Sequence, residues 1–130
     1  MVDETDQVVA FMDQYRQPSD PGHVLVIPRA HIQNIYGVDD VLGGNLFSTH
    51  ARIARAVKRA FGPDGITTWS SNESGAGQEV PHFHLHVYPR RVGAQFPLRI
   101  QKPEAPVSDK LLAAGAERIR RALAELAAER

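Results

Sequence analysis

Residues 82–87, His-Phe-His-Leu-His-Val, alternate imidazole and apolar side chains without a break. A period of two belongs to the extended strand, where successive side chains leave on opposite faces. The pattern predicts a strand through the row, with His82, His84 and His86 about 7 Å apart on one face. Phe83, Leu85 and Val87 then point oppositely, into a core. One face carries chemistry and the other carries stability.

Chance rarely puts imidazole at every polar position of a strand whose other face is apolar, so the row points to a function. Isolated histidines such as His23 and His50 read instead as structural groups. Imidazole serves as metal ligand, general acid or base, or nucleophile, and the neighbouring residues choose among these roles. Ser74-Gly75-Ala76-Gly77-Gln78, just ahead of the row, is a small-residue loop whose backbone N–H groups suit an anion nest, with Gln78 adding an amide donor. With a phosphate on that loop, a neutral His84 nitrogen attacks phosphorus in line and forms a phosphoramidate that water later opens. This route requires no metal or cofactor. Two imidazolium charges ~7 Å apart at an effective dielectric of about 20 repel by ~2 kcal/mol, so a fully protonated row is disfavoured near neutrality.

The rest of the chain limits the alternatives. Its 130 residues suit one domain, taken as 1–130. Lys plus Arg and Asp plus Glu number 15 each, so no global field draws the protein to nucleic acid or to an anionic membrane. Neither partner is expected. Cysteine is absent, which removes disulfides, thiolate catalysis and Cys-containing zinc sites. The first six residues lack the basic-then-apolar layout of a secretion signal, and no apolar run approaches the ~20 residues of a membrane span, so a cytoplasmic location is expected.

Strands are expected at 8–12, 23–27 and 66–71 in addition to the histidine row. The run Val24-Leu25-Val26-Ile27 lacks alternation, so its strand reads as central and covered on both faces, with Pro28 ending its pairing. Leu46, Ile53, Val57 and Phe61 predict a helix over 45–61, and Arg52, Arg55, Lys58 and Arg59 on another side read as its solvated face. Leu112, Ile119, Leu123 and Leu126 predict a packing helix over about 108–128, capped by Ser108. Residues 14–22 and 72–78 read as loops, and 91–107 as an irregular excursion.

His82-Phe83-His84-Leu85-His86-Val87-Tyr88 resembles the signature of the histidine triad (HIT) family. The flanks Gly77-Gln78-Glu79-Val80-Pro81 and Pro89-Arg90 are similar to bacterial members, as are Val9-Ala10-Phe11-Met12-Asp13 and the stretch from Gly22 to His31. The resemblance covers about 8–90. It implies an α+β fold, an antiparallel sheet flanked by helices, extended across a homodimer. It further implies a nucleotide hydrolase or nucleotidyltransferase in which His84 takes a nucleotidyl group at its α-phosphate, supported by His82, His86 and His31. The substrate is a nucleotide, a dinucleoside polyphosphate or a nucleoside phosphoramidate. Asp13 matches an acidic position near the ribose hydroxyls, and Gln78 matches a phosphate-contacting glutamine. Gly77 and Asn72 join the substrate-binding set, Glu79 stands where other members carry Ser or Thr near the scissile phosphate, and Arg90 is placed to hold a distal phosphate. The segment with a zinc-binding cysteine pair that sometimes precedes the first matched strand is missing, so no structural zinc is expected. Val87-Tyr88-Pro89-Arg90 is nearer the Fhit-type hydrolases than the Hint-type phosphoramidases. Two further readings stay open: a metalloprotein gripping a divalent ion with His82 and His86 or His31, and a nucleotide-binding module without turnover.

Overall fold

The alternation of apolar residues decides which side of each strand is covered. In the computed structural model, which describes residues 1–13, 22–93 and 108–129, β1 (Asp3–Glu4), β2 (Val8–Met12), β3 (Val24–Pro28), β4 (Gly65–Trp69) and β5 (Leu85–Arg90) form one antiparallel sheet. Its order is β1-β2-β3-β5-β4, so the last strand in the chain inserts between β3 and β4. Val8, Ala10, Val24, Val26 and Val87 are fully buried on one face, where the helices α1 (Asp40–Phe61) and α2 (Asp109–Ala128) lie. This is the α+β architecture expected.

Helix α1 presents Leu42, Leu46, Ile53, Val57 and Phe61 to the sheet. It starts five residues earlier than its apolar spacing suggests, because Asp39 caps it by accepting from the Leu42 N–H at 2.9 Å. The pair Gly43-Gly44 hides that first turn from a propensity argument. Gly62, in the left-handed region at φ 55°, ends the helix. Ser108 caps α2 as expected, but the fully buried stripe is Gly115, Ala116, Ile119 and Ala122, with Leu123 and Leu126 only partly covered. Small residues let the helix approach β2: a Cβ on Gly115 would stand 3.0 Å from Met12 Cε.

Three other expectations change. The basic residues of α1 are not simply solvated: Arg52 pairs with Asp3 at 2.7 Å and Arg59 with Glu129 at 2.6 Å, tying the helix to β1 and to the end of α2. Strand β3 is central, yet its second face is not covered, since Leu25 and Ile27 are only half-buried. The histidine row is not all strand, because β5 begins at Leu85. Val26 faces Leu85 in the register, so two residues further along Phe83 meets Pro28, which has no N–H to donate. The chain bends there instead, with the His82 N–H on the Val80 carbonyl at 2.8 Å and the Phe83 N–H on that of Ile32 at 2.7 Å. The short β1 was not expected at all. The irregular excursion over 91–107 and the loop over 14–22 fall mostly outside the described residues.

Candidate active site

The face of the sheet away from the helices carries the histidines. Register places Phe11, Leu25, His86 and Trp69 in one row across β2, β3, β5 and β4. His84 precedes β5 on the same side, its ring centroid 4.9 Å from that of His86, closer than the 7 Å of a regular strand because the backbone bends. His31, exposed after β3, meets His82 edge-on at 5.7 Å. The structure thus brings together His31, His82, His84 and His86.

Carbonyl oxygens only accept, and this fixes the tautomers of three rings. His84 Nδ1 donates to the His82 carbonyl at 2.8 Å, His82 Nε2 to the Pro28 carbonyl at 2.9 Å, and His50 Nε2 to the His86 carbonyl at 3.2 Å. A neutral imidazole has one N–H, so His84 Nε2 carries a lone pair. The residue is half-buried and its ring is held by the backbone of His82. His50 is a buried structural group that fastens α1 to the back of β5.

His23 departs from its structural reading. It is fully buried, its Nδ1 lies 3.2 Å from Asp13 Oδ2, and its Nε2 lies 2.9 Å from His86 Nδ1. The nearby Asp13 carboxylate favours the His23 tautomer protonated at Nδ1, and in that tautomer His86 Nδ1–H donates to His23 Nε2. With one proton per ring, His86 Nε2 then carries a lone pair, while His23 Nδ1 faces Asp13 as a charge contact and makes no hydrogen bond among the described residues. Burial pushes His23 down to about 4, against the opposing pull of Asp13, with His84 lowering it further. Burial, then the charges of His23, His84 and His50, pushes His86 down to about 3. Both rings are therefore neutral at physiological pH. Asp13 thus sits behind His86 through an intermediate histidine that isolated-residue reasoning passed over. The only sequence signal was its place at the start of an apolar run, 63 residues from its partner.

The loop ahead of the row differs from the expected anion nest. Ala76, Gly77 and Gln78 give their N–H groups to Glu73 or Ser74 carbonyls inside a 3-10 turn over 74–76, and Gly77 has the left-handed φ of 91° that the turn requires. The Gln78 side chain is a brace: its amide nitrogen donates to the Gln33 and Val80 carbonyls at 2.6 and 3.0 Å, and its oxygen accepts from Glu73 N–H at 2.7 Å. Asn72 is also a brace, its Oδ1 accepting from Ile35 N–H at 2.7 Å. Glu79 is exposed. Arg90 ends β5, ~13 Å along the strand from His86 at about 3.3 Å per residue, so it stands apart from the triad.

Asp13, His23 and His86 each offer a ligand atom, all within 4.8 Å of one another. The 2.9 Å contact between the two rings already holds a proton that a shared cation would have to displace. The three groups are joined by one ring-to-ring hydrogen bond and one charge contact between His23 and Asp13.

The comparisons agree with this fold. The chain belongs to the HIT domain family, whose model matches residues 1–93. The protein Hit of Bacillus subtilis is 42% identical over 87 residues, 67% of this chain but only 59% of that one, so the match spans less than two thirds of the relative's length. A bis(5'-adenosyl)-triphosphatase of Dictyostelium discoideum is 35% identical over 75 residues, 58% of this chain and 50% of its own. Among solved structures, a Hit-like protein from Bartonella henselae matches with a TM-score of 0.82 at 37% identity, over 93% of this chain and 84% of that one. A zinc-bound histidine triad family protein from Mycobacterium smegmatis matches with a TM-score of 0.80 at 27% identity, over 99% and 86%.

Proposed function

We propose that the protein hydrolyses or transfers a nucleotidyl group through a covalent intermediate on His84. The observation that carries this is the 2.8 Å bond from His84 Nδ1 to the His82 carbonyl, which in the neutral ring places the proton on Nδ1 and the lone pair on Nε2. Nε2 bonds to the α-phosphorus while the bond from phosphorus to the leaving oxygen or nitrogen breaks, its electron pair departing with the leaving group. The ring becomes cationic, and its Nδ1–H bond to His82 becomes charge-assisted and stronger. Water then adds to phosphorus, its proton passing to His86 Nε2, and the electron pair of the P–N bond returns to His84 as the mononucleotide leaves.

The low basicity of His86 matters in the first step. A protonated His86 4.9 Å from the cationic adduct would oppose it by ~3 kcal/mol at an effective dielectric of about 20. Neutral in the free enzyme, His86 gains basicity when an anionic phosphate sits beside it. The half-buried strip of Val9, Phe11, Leu25 and Ile27 beside the triad offers a surface for a nucleobase, with Asp13 at its end toward the ribose. His31 orders His82, while Gly77, Gln78 and Asn72 shape the phosphate side, with Glu79 bearing on the outer phosphates and Arg90, at the far end of β5, meeting only a distal phosphate of a long substrate.

The substrate class is a dinucleoside polyphosphate or a nucleoside phosphoramidate. The bis(5'-adenosyl)-triphosphatase among the relatives supports the former, as does the Fhit-like run after the triad. The chain acts as one unit over 1–130 and pairs with a second copy, and Phe47, 70% exposed on α1, supports a covered surface there. Sedimentation at the mass of one chain would remove the pairing. His84→Ala is expected to lower turnover of a nucleotidyl substrate by at least ~10³-fold with nucleotide affinity largely kept. A loss of only a few-fold rejects the covalent route.

A further inference from the structure

Trp69, the sole tryptophan of the chain, stands directly across from His86 in the β4–β5 register. The two rings are parallel to within 3°, with centroids 4.1 Å apart. By comparison, the His86 centroid lies 4.9 Å from that of His84 and 5.2 Å from that of His23, and neither pair is parallel. Tyr88 and His23 pack around the same indole at 5.9 Å.

The hydrogen bond between His86 Nδ1 and His23 fixes where one nitrogen points, yet its angular tolerance still lets the imidazole rock about Cβ–Cγ. A flat indole at contact distance limits that rocking, because any rotation of the smaller ring either lifts it from the stack or drives it into the larger one. The two restraints are complementary, one directional and one planar. The same indole face, negative at its centre, also favours the imidazolium that forms when His86 takes a proton.

We propose that Trp69 is a positioning residue for His86, its stacked indole holding the imidazole in the plane that keeps Nδ1 on His23 and Nε2 free. This rests on the role given to His86 in the proposed function. The other groups facing His86 are His23 of the β3 side, with Asp13 and the Tyr88 ring against it, His84 on its own segment, and His50 of α1 through the backbone carbonyl. All of them remain in a Trp69 variant.

The test compares Trp69→Phe, which keeps an aromatic face, with Trp69→Leu, which does not. Trp69→Thr, the residue type at 67 and 68 of the same strand, replaces the leucine variant if that one does not fold. In wild type and Trp69→Phe, ring nitrogen NMR is expected to find His86 in one tautomer protonated at Nδ1, with kcat within about threefold. In the aliphatic variant the His86 nitrogens average between tautomers, kcat falls about tenfold and KM stays within about twofold, while the backbone amide spectrum away from β4 and β5 is unchanged. An aliphatic variant with the wild-type His86 ring signals and kcat overturns the proposal. The ring signals are read without substrate, so a wild-type protein that turns over no nucleotidyl compound sinks the proposed function and leaves the positioning role to be judged by NMR alone.

Discussion

At the scale of single residues, the account turns on which imidazole nitrogens hold protons. A backbone carbonyl sets the neutral tautomer of His84, and the charge contact of His23 with Asp13 favours the one in which His86 Nε2 also keeps its lone pair. The same burial that keeps His23 and His86 neutral sets a pH dependence of stability. An unfolded chain takes up protons at these positions near 6.5, whereas the folded protein resists until about 4 and about 3. Between those values the unfolded state binds more protons, so stability rises with pH across the window and is lost as pH falls through it. Thermal unfolding is expected to show a Tm that decreases steadily from pH 6.5 toward 4 and a shallower slope in His86→Leu. Equal slopes for the two proteins would remove the buried neutral His86 from the account.

At the scale of elements, the loop between β4 and β5 stores strain. Glu73 adopts φ 74° and ψ 159°, a region that costs a residue with a Cβ of order 1–3 kcal/mol. Its carboxylate accepts from Tyr36 Oη at 3.0 Å and its N–H meets Gln78, so the strained residue links the 34–37 segment to the turn ahead of the triad. Glycine relieves the strain and alanine does not. In urea unfolding, Glu73→Gly is expected to exceed Glu73→Ala in stability by about 1 kcal/mol, the reverse of their usual order. Alanine equal to or above glycine would show that the backbone there is not strained. This loop also marks where sequence reasoning stopped. Small residues at 74–77 signalled a turn correctly, but the partners of Gln78 and Asn72 lie on the 33–35 segment and are set by tertiary folding. Likewise, the period of two identified the triad and its apolar back, while the start of β5 depends on Pro28, which only the register places opposite Phe83.

At the scale of the molecule, the sheet divides labour between its faces. Val8, Ala10, Val24, Val26 and Val87 on one side bind α1 and α2, and the other side stays open enough to hold the histidines, Trp69 and the half-buried strip. Local pattern was sufficient for α1, α2 and four strands, because each has an apolar period strong enough to read alone. The strand order, the pairing of His23 with His86 and the stacking of Trp69 on His86 are relations between distant segments, and no single stretch of sequence contains them. The two-sided design predicts one chemical event, the transient bonding of a nucleotidyl group to the whole protein. Intact-mass measurement on protein acid-free quenched during single turnover of a nucleotidyl substrate with a good leaving group tests it most directly. The expected result is a mass increase of one nucleotidyl group that localises to His84, disappears on mild acid treatment and is absent from His84→Ala. Unmodified protein throughout a turnover in which product accumulates would contradict it.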